Sequence, residues 1–284
     1  MRKFYIKIML ACLSIIAIII TTTSVYAWRT YVADVQNVAL QVTRIDSEIY
    51  VYQGLDVNHN GIPDLLSNYT ASEIAAMNSG HPEGKREYYQ ENKAFKYLGY
   101  QYAVSTEVSD EQKIPYSIEG VFPTMVSTLK MSVLNNSDGI NWVSFSFDSK
   151  NYTAAELKLL SCLSVKVGKV VNPTGDITSS NINVEFSDKF YFNDGITTNF
   201  NGLSVISSDE DAIEVKGIVN RNKDLNDDVV DVWFQFEMES YDALISHFGT
   251  TGPNAFALTQ SDYNSLQNMT LELPDLKVLL EVRV

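Results

Sequence analysis

Apolar residues alternate with polar ones at a period of two through most of this chain, and that periodicity sets the fold class. Val230, Val232, Phe234 and Phe236 form the strongest run. Val143, Phe145 and Phe147 alternate with Ser144 and Ser146; Leu163, Val165 and Val167 repeat the pattern, as do Ile182, Val184 and Phe186. Val38, Leu40 and Val42, then Ile49–Tyr52, open the series, with Met125–Leu134, Ile213–Val219 and Leu276–Val284 further on. Successive side chains of a strand point to opposite faces, so such runs predict strands with one buried face. Turn clusters at Asn135–Gly139, Asn172–Asp176 and Asn193–Gly195 separate them. Many short strands without alternating helices predict an antiparallel β-sandwich, mainly β with a few short helices. Those helices are Ser72–Met77, the run opened by the capping box Thr153-Ala154-Ala155-Glu156, and Tyr241–Phe248, stopped by Gly249. Residues 79–102, rich in charge and tyrosine, read as an insertion or long connection, placed near 68–110 within a single domain spanning 28–284.

The first 27 residues read as a targeting segment. Arg2, Lys3 and Lys7 precede an apolar stretch from Ile8 to Ile20, and Val25 and Ala27 are the small residues a signal peptidase needs, with cleavage between Ala27 and Trp28. The expectation is therefore a secreted or surface protein that meets the membrane only through that segment before cleavage. The leader holds three basic residues and no acid, so the remaining 257 residues carry 18 basic against 35 acidic side chains. Such a surface repels nucleic acid and attracts divalent cations. Without the leader Cys162 is the only cysteine, which excludes an internal disulfide. An export route that permits disulfides, used by a chain that has none, points to a Gram-positive style of secretion.

One constellation carries chemistry. Asp56-Val57-Asn58-His59-Asn60-Gly61-Ile62-Pro63-Asp64 reads as the first nine positions of a calcium loop. Oxygens at Asp56, Asn58 and Asn60 converge on a hard cation, Ile62 offers its carbonyl, Gly61 permits the sharp turn, and Asp64 adds a second carboxylate. The loop resembles those of thrombospondin type 3 repeats and dockerins, but Ser67 stands at the twelfth position, where a bidentate acid belongs. Two carboxylates predict weak calcium binding, on the order of 10⁻⁴ to 10⁻³ M. The alternative is an Asx-rich turn with Gly61 left-handed. A second, poorer candidate lies at Asn220, Asn222 and Asp224, near Asp227 and Asp228, with Asp209-Glu210-Asp211 as a further acidic run; no glycine follows to close a loop, and a solvated face is the simpler reading. Tyr88, Tyr89, Tyr97, Tyr100 and Tyr102 form either an aromatic platform or sheet packing with wet hydroxyls. His59, His81 and His247 are far apart and outside any H-E-x-x-H pattern, and no G-x-S-x-G elbow is present, so no catalytic residue is assigned.

The leader ending Ser24-Val25-Tyr26-Ala27, followed by Trp28, and the central run Lys130-Met131-Ser132-Val133-Leu134-Asn135-Asn136-Ser137-Asp138 resemble the TasA/camelysin group of exported Gram-positive proteins. That resemblance implies a jelly-roll-like β-sandwich at the cell surface, a leader processed by a dedicated signal peptidase, and a structural or biofilm-matrix role without turnover. It also implies self-assembly in which an N-terminal strand, here within 28–42, completes the sheet of a neighbouring copy; the competing expectation is pairing within its own subunit. A monomeric surface module for glycan or protein, and a secreted hydrolase, are the other functional classes.

Overall fold

The computed structural model describes residues 45–82, 93–171, 183–192, 200–217, 229–251 and 255–283. The leader, the 28–42 segment, the turns at 172–176 and 193–195, Tyr88 and Tyr89, and the 220–228 candidate lie outside the described residues.

The chain is mainly β, built from antiparallel sheets with a few short helices. The strands are β1 (Ile45–Gly54), β2 (Phe95–Ser105), β3 (Ser109–Ile114), β4 (Ser117–Val121), β5 (Val126–Asn135), β6 (Ile140–Phe147), β7 (Leu163–Val171), β8 (Asn183–Phe186), β9 (Phe190–Tyr191), β10 (Leu203–Ile206), β11 (Ile213–Lys216), β12 (Val229–Met238), β13 (Met269–Glu272) and β14 (Leu276–Glu281). The larger sheet runs β2-β1-β5-β12-β7-β8, with β9 also on β7. The second runs β10-β6-β14-β3, with β11 also on β6, and β4 pairs with β13 in a two-stranded ribbon.

The predicted alternation is the one that packs. Val232, Phe234 and Phe236 of β12 point into the core, as do Val143, Phe145 and Phe147 of β6. Across the two sheets the Phe145 and Phe234 rings meet edge to face at 5.5 Å, and Phe147 meets Phe236 at 5.9 Å. Face-to-face burial of two apolar sheet faces is what makes a sandwich; each phenylalanine buried there contributes about 1.5–3 kcal/mol relative to exposure. Cys162 lies in the same core, fully buried, and burial pushes its thiol up to about 12.

Two features depart from the sequence reading. Residues 79–102 are not wholly a connection: β2 begins at Phe95 and pairs antiparallel with β1 along its length. A register shift between Val51 and Tyr52 sets Tyr52 opposite Tyr97 and Tyr50 opposite Tyr100. The two β2 tyrosines on one face are thus three residues apart, and the period of two is broken. The second departure is the other face of the larger sheet. There Tyr50, Tyr52, Phe95 and Trp233 form a second apolar cluster. Lys130 is fully buried within it, its ammonium 4.8 Å from the centre of the Tyr52 ring and 5.0 Å from that of Phe95. Burial lowers the Lys130 pKa, because desolvation disfavours the charged form.

The helices are α1 (Ala71–Met77), α2 (Ala154–Leu160), α3 (Tyr241–Phe248) and α4 (Gln260–Ser265). Gly249 ends α3 with φ of 76°, as its position predicts. Capping boxes open three of them: Thr70 with Glu73, Thr153 with Glu156, and Thr259 with Asp262. The cap hydroxyls of Thr70 and Thr259 hold Glu73 and Asp262 below the usual carboxylate range, and the Thr153 backbone N–H does so first for Glu156. A carboxyl whose folded pKa lies below its unfolded value stabilises the fold above the unfolded value, and that stabilisation is lost as pH falls through the folded one. Glu156→Gln is therefore expected to flatten the acid side of the stability profile below about pH 4, measured as urea midpoint against pH. An unchanged acid slope would show that this box does not feel protonation.

Candidate cation loop and adjoining cleft

The connection between β1 and the 3-10 turn Leu66–Asn68 holds every residue of the predicted calcium loop. The loop folds around its own amides. Asp56 Oδ2 accepts from the Gly61 N–H at 2.6 Å, Asn58 Oδ1 from Asn60 N–H at 3.2 Å, and Asn60 Oδ1 from Ile62 N–H at 2.8 Å. Asp64 Oδ2 accepts from the Val57 N–H at 3.1 Å and from the Tyr69 hydroxyl at 3.0 Å. Side chains of alternate residues thus turn back over the loop, which short Asx side chains do readily. Two residues take the left-handed backbone that the tight path requires, His59 with φ of 55° and Gly61 with φ of 83°.

The rest of the fold grips this loop firmly. The Gly61 carbonyl accepts from Thr128 Oγ1 on β5 at 3.0 Å and from Gln235 Nε2 on β12. Val126 N–H donates to the His59 carbonyl, and Ala94 N–H, just before β2, donates to the Asp64 carbonyl at 2.8 Å. The Tyr69 phenol is raised by desolvation first and then by its bond to Asp64. Neither Tyr69 nor the partners on β5 and β12 carry a sequence signal of a role here.

One oxygen is left over. Asp56 Oδ1 is buried and accepts no hydrogen bond. Nearly all buried polar atoms find partners, so a solitary carboxylate oxygen is a cost that a bound cation would remove. The donor set of two carboxylates, two amide oxygens and a main-chain carbonyl is the hard-oxygen chemistry calcium prefers. Among the described residues no group of three or more His, Cys, Asp or Glu side chains is placed to hold a metal ion; the 56–64 segment has two carboxylates beside its asparagine and main-chain oxygens. Ser67, at the twelfth position, is exposed on the 3-10 turn.

An open cleft of about 740 Å³ lies against the loop. Asp56, Val57 and His59 line one side, Lys96 and Leu98 of β2 another, and the start of β4, with Ser117 and Glu119, a third. Among the described residues β4 has a strand partner on one side only, β13.

The other sequence candidates scatter. Asp209, Glu210 and Asp211 are exposed on a turn. Tyr97 and Tyr100 pack against Tyr52 and Tyr50, while half-exposed Tyr102 donates its hydroxyl to Asp46. Three separate settings hold the histidines: His59 against Phe122, His81 stacked on Tyr50, and His247 stacked on Tyr191. Among the described residues no helix is long and apolar enough to cross a membrane. No protein-family model matches the chain, and no curated protein does.

Proposed function

We propose that this chain is an exported structural surface protein of the TasA/camelysin type, stabilised by calcium and assembling with further copies of itself by strand addition. The observation that carries assembly is β4, a short strand with one strand partner among the described residues, whose residues line an open cleft. A strand edge offers unpaired N–H and C=O groups, and an extended segment that enters satisfies them while its alternate side chains fill the adjoining hollow. The donor would be residues 28–42 of a neighbouring copy. Calcium would be held by Asp56, Asn58, Asn60, the Ile62 carbonyl and Asp64; it would bind the end of β1 to the approach to β2, since Asp64 and Leu55 both bond to Ala94. A mixed cleft with Lys96 and Glu119 at its sides and no catalytic set assigned suits an interaction role.

The test compares protein beginning at Trp28 with protein beginning at Thr43, followed by light scattering and electron microscopy over a concentration series. Filament growth by the longer form and none by the shorter is the expected result. Equal growth by both, or a longer form that stays monomeric throughout, rejects strand donation by 28–42.

A further inference from the structure

We infer that the calcium ion of the 56–64 loop takes a carboxylate from a second copy of this chain; the inference rests on the calcium reading proposed above. Calcium takes 6–8 oxygens, and in loops of this pattern a bidentate acid at the twelfth position closes the shell. Here that position is Ser67, exposed and without a carboxylate. The loop itself offers five residues, only Asp56 and Asp64 of them acidic. Asp56 Oδ1 is buried and accepts no hydrogen bond, which leaves one carboxylate oxygen of the loop for a cation. A cation so held keeps coordination positions open to a ligand from outside.

The surroundings suit a protein surface rather than water alone. Val57 is 78% exposed, Ile62 57% and Leu65 49%, three aliphatic side chains on or next to one short loop. Leu98 and Phe122 are also exposed nearby, Leu98 in the cleft wall and Phe122 against His59. Clustered exposed apolar residues around a polar centre mark contact surfaces. In the same cleft exposed Lys96 supplies a positive charge, across from Glu119, that an incoming acid would meet.

Charge selects a second copy as the occupant. The chain holds 35 acidic against 21 basic residues, for a formal net charge of −14. Two such molecules repel one another in the absence of a cation. A calcium ion with an incomplete shell reverses that locally, and a carboxylate is the charged group a neighbouring copy presents most abundantly. The loop is then a calcium-dependent contact between copies, distinct from strand addition in needing the ion.

The experiment follows sedimentation velocity and thermal melting of the full chain in chelator, in millimolar calcium and in millimolar magnesium. Ser67→Glu restores the missing acid within the chain, at an exposed position where folding is not at stake; Ser67→Ala is its control. Expected for the unaltered chain are a raised melting midpoint and a calcium-dependent shift to larger species, neither produced by magnesium. Ser67→Glu is expected to lower the calcium needed for half-saturation by about tenfold or more, since an added ligand carboxylate strengthens such sites, and to abolish the calcium-dependent association. Ser67→Ala should associate as the unaltered chain does. If calcium raises the midpoint but leaves sedimentation unchanged, or if Ser67→Glu associates as before, the bridging carboxylate is refuted and calcium binding stands. If calcium changes neither quantity, both fall together.

Discussion

Phe234→Ala is expected to lower unfolding free energy by about 3–5 kcal/mol, the range for removing a large aromatic side chain from a packed core. Phe234 is fully buried at the centre of β12, flanked in register by Leu129 of β5 and Val167 of β7. Its ring meets Phe145 and Phe147 of the opposing sheet, at 5.5 Å and 6.3 Å between centroids. Truncation removes contacts to both sheets at once, and four rigid neighbours cannot close the void without moving strands. Phe234→Leu keeps most of the volume and is expected to cost less than half as much. Val57→Ala, at a side chain 78% exposed, is the surface control and should stay within about 0.5 kcal/mol. Urea titrations at constant m-value read all three. A small loss for Phe234→Ala, comparable with Val57→Ala, would mean that the two sheets do not meet through this residue.

The core that this substitution probes was legible because the alternation at 230–236 and 143–147 is strict, and a strict period of two admits only one choice of inward face. Local chemistry also made the helix ends legible: Thr153 with Glu156, and Gly249, act within a few residues of where they stand in sequence. Other elements depend on distant partners. β3 reads Ser-Asp-Glu-Gln-Lys-Ile, a run with one buried apolar residue, and it is a strand only because β14 offers it an edge. β2 hides its period behind the register shift at Val51 and Tyr52, so its tyrosines looked like a loop's. Lys130 and Ser132 sit where the alternation predicts solvent, yet both are fully buried. A sheet face buried against further chain cannot be told from a wet one by periodicity alone.

The candidate cation loop divides in the same way. Asp56, Asn58, Asn60 and Asp64 bond to amides within seven residues of themselves, so spacing alone was enough to bring them together. The anchors Thr128 and Gln235 come from 67 and 174 residues away, and no local pattern announces them. The cleft is likewise assembled from five separate stretches of chain, and neither Lys96 nor Glu119 had any signal of its place there.

Gly61→Ala tests loop, anchor and ion together. Gly61 has φ of 83°, a conformation costing about 1–2 kcal/mol for a residue with a Cβ. An added Cβ would also stand 2.7 Å from a Val126 methyl and 3.0 Å from Gln235 Nε2. Val126 is β-branched and has little rotamer freedom with which to retreat, so the loop must shift away from β5 and β12. The expected loss is about 2–4 kcal/mol, the conformational cost plus overpacking. Gly120 separates the two causes. It also has positive φ, 62°, but nothing lies within 4 Å of a Cβ built there, so Gly120→Ala should lose only the conformational part. Urea denaturation in calcium and in chelator measures both. Calcium should stabilise Gly120→Ala as much as the unaltered chain, because ligand bound only by the native state adds the same increment. For Gly61→Ala that increment should vanish, since the shift removes the bond from Gly61 N–H that orients Asp56 and displaces the Ile62 carbonyl beside it. Equal losses for the two alanine variants, with the calcium increment intact in both, would show that the loop is not held in register by β5 and β12 and that Gly61 does not shape the ion's cage.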